Sequence, residues 1–151
     1  MIEVHLPESS KPEHRELHDQ LSKARRVGGR TAQAADELMA VLYPHILLEE
    51  RYAAPPLAIL PQLVGGEVTE EMGQIIRSAE KLKIELPGML EDHRRIVAAL
   101  RNLMRAAADE RHEGYAEFAQ KLIRHAQQEE EVLYPAAILV GEYVKLKLGR
   151  T

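Results

Sequence analysis

The chain has 151 residues, enough for one domain with its own core, and 20 Lys+Arg against 24 Asp+Glu give it a net charge of −4 with histidine neutral. That mild acidity argues against nucleic acid as the main partner, and the absence of cysteine excludes disulfides, thiolate zinc sites, iron–sulfur clusters and cysteine nucleophiles. No stretch reaches the roughly 18 apolar residues of a membrane span, so a soluble, cytoplasmic protein with no membrane partner is expected.

Ala, Leu, Glu, Lys, Arg and Gln dominate and favour helix throughout. Ser9-Ser10-Lys11-Pro12 starts a first helix, with Ser10 as cap and Pro12 in the first turn. Val27-Gly28-Gly29 stops it. A second helix runs from about Thr31 to Ala54, where Pro55-Pro56 ends it, and a connector follows from Leu57 to Glu67. Thr69 caps a third helix, with Glu70 and Glu71 in its acidic first turn. This helix continues to about Asp109 and is kinked or split at Pro87-Gly88. A fourth runs from about Gly114 to Lys147, bent or broken at Pro135. Four helices with mostly short links read as an all-α, antiparallel four-helix bundle, in a single domain over residues 1–151 with its core at about 12–144.

The two halves repeat. His45-Ile46-Leu47-Leu48-Glu49-Glu50 precedes Pro55, and His125-Ala126-Gln127-Gln128-Glu129-Glu130 precedes Pro135. Both read H-x-x-x-E-E-x-x-x-x-P, 80 positions apart. Glu13-His14-Arg15 and Asp92-His93-Arg94 form a second pair, 79 apart. Two coincidences in the same order indicate a duplicated helical hairpin.

Residues four apart share a helix face, so His45 pairs with Glu49 and His125 with Glu129. On the fourth helix these lie on a stripe with Phe118, Leu122, Val132 and Ala136, while Gln120, Arg124, Gln127, Glu130 and Glu131 fill the far side. On the second, His45 and Glu49 share a stripe with Ala35, Leu38, Leu42, Ile46 and Ala53. His93 stands among Met89, Leu90, Ile96 and Leu100; His14 stands with Leu17, His18 and Leu21. The pattern therefore places two carboxylates and at least four imidazoles in the interior. An unpaired buried carboxylate costs several kcal/mol. A salt-bridge network would need cations on the same faces, and Lys121 is the main candidate. A metal ion meets the need better, since neutral imidazoles and carboxylates suit iron, manganese or zinc. Four His and two Glu over two ions give about three ligands each and leave positions open for a small ligand. Other patterns are missing: no E-x-x-H of the ferritin-like class, no H-E-x-x-H, and no phosphate or dinucleotide loop.

These residues resemble the hemerythrin family, specifically its HHE cation-binding branch, over about Pro12 to Val144. The motifs come in order: His14; His45 with Glu49; His93; His125 with Glu129, running through Glu130, Leu133 and Tyr134 to Pro135. The resemblance implies an oxo- or carboxylate-bridged di-iron centre, two iron ions held by His14, His45, Glu49, His93, His125 and Glu129, inside a four-helix bundle. The chain departs from the oxygen-carrying members, which have H-x-x-x-H on the third helix, where His93 is followed by Val97 here, and H-x-x-x-x-D on the fourth. His18 is a further candidate ligand. Tyr43, Tyr52, Tyr115 and Tyr134 read as packing or interface residues, and Leu47 and Leu48 as contacts to the connector or to another subunit of a homo-oligomer. Two functions remain open: a non-haem di-iron protein that binds or reduces oxygen, peroxide or nitric oxide, and a metal-binding, storage or sensing module without turnover.

Overall fold

The computed structural model describes the chain from Lys11 to Arg150, with side chains from His14 onward; the Ser10 cap lies outside the described residues. Among these residues there is no strand. Four long helical rods make a helical bundle. The first is α1 (Lys11–Arg26). The second is α2 (Gly29–Leu48), which passes through a π-helical turn (Glu49–Ala53) into the short α3 (Ala54–Ala58). A further short helix, α4 (Leu60–Val64), and a 3-10 turn (Glu70–Met72) lead into the third rod, α5 (Gly73–Asp109). The fourth is α6 (Tyr115–Gln128), a second π-helical turn (Glu129–Leu133) and α7 (Tyr134–Lys147).

The prolines act differently from the sequence expectation. Pro55 and Pro135 do not stop their helices. In each case the residue just before the proline bonds five residues back, Ala54 N–H to the Glu49 carbonyl and Tyr134 N–H to the Glu129 carbonyl. The proline then falls in the first turn of the next α segment, where its missing N–H is not needed. The expected connector after Pro56 is accordingly helical for much of its length. α5 also runs through Pro87 without a break.

The π turn re-phases everything after it. Val132, expected on the core stripe, is 54% exposed, whereas Tyr134 and Ala137 are buried. Leu47 is exposed, and Leu48 packs against the core block that holds Ala53, Leu82 and Tyr134.

One core block joins α1, α2, α5 and α6 through Leu17, Leu21, Leu38, Leu42, Leu100 and Phe118. A second holds Ala53, Leu82, Met89, Tyr134 and Ala137. A third, beyond it, is built on Ile59, Met72, Ile75, Val140 and Val144. Between the first two blocks the chain places His45, His93 and the His125–Glu129 segment, so the polar residues interrupt the core midway along the rods. Contacts between rod ends fix the arrangement. The carboxylate of Glu110, just past α5, accepts bonds from the N–H groups of Arg30 and Thr31 and from the Thr31 hydroxyl at the start of α2. At the other end Lys145 of α7 meets Glu80 of α5, and Arg150 meets Glu70. No helix among the described residues is long and apolar enough to cross a membrane.

Candidate metal centre

His45 and Glu49 come from the end of α2 and the start of its π turn, His93 from the middle of α5, and Glu129 from the start of the second π turn. Each of the four is at most 8% exposed. One ligand atom from each lies within 4.8 Å of all the others, and the four together could hold a metal ion.

His45 Nε2 is 2.9 Å from Glu49 Oε1, and His93 Nε2 is 3.3 Å from Glu129 Oε1. The outer nitrogens are also engaged. His45 Nδ1 lies 3.2 Å from Asp92 Oδ2, and His93 Nδ1 lies 2.9 Å from Glu130 Oε1. A carboxylate accepts only, so each Nδ1 carries the proton. In the neutral rings the lone pairs then sit on the inward Nε2 atoms. Those two atoms face one another at 3.0 Å. Two lone pairs at that distance repel unless a proton or a cation lies between them, and orienting carboxylates on the far nitrogens are the usual support of metal-ligating histidines.

The electrostatics show how closely the four groups act on one another. Burial, and then the neighbouring Glu129, push the Glu49 carboxyl up to about 7. Burial acts on Glu129 too, but bonds from Glu49, His125 and His93 outweigh it and hold that group well below the usual carboxylate range. Burial opposes charge on both histidines. For His45 the bonds to Glu49 and Asp92 prevail, and for His93 those to Glu129 and Glu130, so both are raised. Glu49 is thus pushed toward its neutral form, while Glu129 and the two histidines are held toward their charged forms by one another. Among the described residues no lysine or arginine enters the cluster: Lys121 and Arg124 line the adjoining cavity, both are exposed, and Lys121 is tied to Glu16. The donor set fits a first-row metal ion.

All six residues selected from the sequence line one cavity of about 370 Å³. They do not meet equally. His125 adjoins the four through Glu129, its Nε2 3.5 Å from Oε2. His14, half-buried, lines the same cavity outside the tight group. His18 is exposed, does not line the cavity, and places its Nδ1 3.4 Å from Tyr43 Oη.

Three residues of the site escape sequence reasoning, and Glu130, placed on the far side of its helix, is the first, since it meets His93 Nδ1. Asp92, read only as part of a repeat, reaches across to His45 on another rod. Tyr134, read as packing, is 1% exposed and donates to Glu49. What hid Tyr134 was the π turn: nine residues beyond His125, it falls half a turn off the ligand face of an ideal α-helix, and the extra residue of the π turn swings it back toward that face. π turns concentrate at functional positions.

Comparison of the chain with protein-family models, with curated proteins and with solved structures returns no match.

Proposed function

We propose that this chain is a hemerythrin-like di-iron protein. On this reading it is an antiparallel four-helix bundle of two similar hairpins that holds two iron ions with His14, His45, Glu49, His93, His125 and Glu129, and binds or reduces a small oxidant such as oxygen, peroxide or nitric oxide. The observation that carries the reading is the pair of Nε2 atoms facing each other at 3.0 Å, with both Nδ1 atoms committed to carboxylates. The end-to-end contacts, α2 start with α5 end and α5 start with α7 end, support the antiparallel arrangement.

Ions bound here would supply redox electrons and open coordination positions. The chain supplies the rest. Asp92 and Glu130 orient the two imidazoles, and Tyr134 holds Glu49 by a hydrogen bond. Leu42, Ile96 and Phe118 give the cavity an apolar wall that keeps bulk water from the donors. The cavity itself, larger than the donor set needs, supplies room for a ligand.

The test is metal content per chain and the optical spectrum of the same sample, purified fresh and again after anaerobic ferrous loading. About two irons per chain, with peroxide consumed by the loaded protein and not by His125→Ala, is the expected result. Iron without turnover or ligand binding leaves a storage or sensing module. Manganese or zinc at full stoichiometry in the fresh protein corrects the metal. No metal under any condition rejects the reading.

A further inference from the structure

Tyr134 stands inside the donor set rather than beside it. Its Oη lies 2.5 Å from Glu49 Oε1, 3.1 Å from His45 Nε2 and 3.2 Å from His93 Nε2. Those partners are close to one another too: His45 Nε2 is 3.0 Å from His93 Nε2 and 2.9 Å from Glu49 Oε1. A phenol has one O–H, and here it donates to Glu49 Oε1, so it cannot also donate to the two imidazole nitrogens that stand 3.1 and 3.2 Å away.

The same separations have a simple meaning around an ion. Two donors in neighbouring coordination positions, each about 2.1 Å from a first-row metal, stand about 3.0 Å apart. Five of the six separations among Tyr134 Oη, His45 Nε2, His93 Nε2 and Glu49 Oε1 run from 2.5 to 3.2 Å and bracket that edge. A single position can therefore lie within bonding reach of all four atoms.

The repeat shows that this feature occurs once. The position equivalent to Tyr134 in the first half is Ala54, which offers no donor. The two halves of the centre are thus chemically unlike: His45, Glu49, His93 and a phenol on one side, His125, Glu129 and the more distant His14 on the other.

We propose that Tyr134 is a metal ligand, its Oη completing the donor set of His45, Glu49 and His93, with the ion taking the place of the phenol proton. This rests on the metal reading above and goes beyond its six residues. The test is the visible and resonance Raman spectrum of the full chain loaded with ferric iron, together with iron per chain. Wild type is expected to show a phenolate-to-iron charge-transfer band with enhanced ring modes. Tyr134→Phe is expected to lose both while still taking up iron. Should that variant fail to fold, Phe at each of the other four tyrosines, Tyr43, Tyr52, Tyr115 and Tyr143, must leave the band in place. Iron uptake by wild type without a phenolate band overturns the proposal, as does a band that survives in Tyr134→Phe or disappears with any of the other four. Failure of wild type to take up iron at all overturns the metal reading itself, and this ligand with it.

Discussion

Asp92 and Glu130 carry a prediction separate from the ligands themselves. Each accepts from the outer nitrogen of one histidine, so each fixes which ring nitrogen points inward and adds basicity to it. Asp92→Asn and Glu130→Gln are expected to weaken metal binding about 10–100-fold, the usual scale for such outer partners, with helix content unchanged by circular dichroism. Glu91→Gln, one residue from Asp92 but paired outward with Arg94, is expected to bind as wild type does. A titration in which all three variants match wild type would remove the orienting role. Much of the inner set was legible in the sequence, since His45, Glu49, His93 and Glu129 follow from i,i+4 spacing and from their places on apolar stripes. Asp92 was not, because helical periodicity assigns a residue to a face of its own helix and does not say that its carboxylate crosses to a histidine 47 positions away.

At the scale of the elements, the rods and most of their ends were readable from periodicity and from Gly28-Gly29, Thr69 and Gly114. The π turns were not. A proline removes one backbone bond and clashes with the carbonyl four residues back, which reads as a stop. Widening the preceding turn by one residue meets the same restriction without ending the helix, and the sequence pattern holds no separate sign for it. The re-phased α7 then packs closely on α5, and Gly141 marks the contact. A glycine inside a helix is usually improved by alanine, by about 1 kcal/mol. Here the added methyl would overlap the Cβ of Ala79. Both carbons are fixed to their backbones, so the rods must separate, and overpacking of this kind costs about 1–3 kcal/mol. Gly141→Ala is therefore expected to lower the melting temperature, with a net loss of up to about 2 kcal/mol. A variant melting at or above wild type would show that the two rods can move apart freely.

Across the whole molecule the two ends of the rods are fastened by different chemistry, and this gives the fold a predictable response to acid. At one end Lys145–Glu80 and Arg150–Glu70 are solvent-exposed ion pairs, a class worth about 0–1 kcal/mol each. At the other, Glu110 binds the start of α2. Its carboxylate accepts from the Thr31 hydroxyl at 2.6 Å, from Thr31 N–H at 2.7 Å and from Arg30 N–H at 3.1 Å, and so occupies donors that the first turn of a helix leaves open. Gly28 and Gly29, both at positive φ, turn the chain so that these donors face Glu110. The Thr31 hydroxyl bond first, and then the backbone bonds, lower the Glu110 carboxyl from its ordinary 4.5 to about 2. A group lowered in the folded state binds its proton more readily when unfolded. Its contribution is therefore complete above about 4.5 and lost as the pH falls toward 2. Other carboxylates titrate over the same range, but Glu110→Gln retains them all, so the difference between the two proteins isolates this one. Urea midpoints measured from pH 7 to pH 2 should show wild type the more stable at neutral pH, with the gap closing through that window until the curves meet near pH 2. A gap that stays constant with pH would mean that the substitution acts through shape and not through the charge at the head of α2.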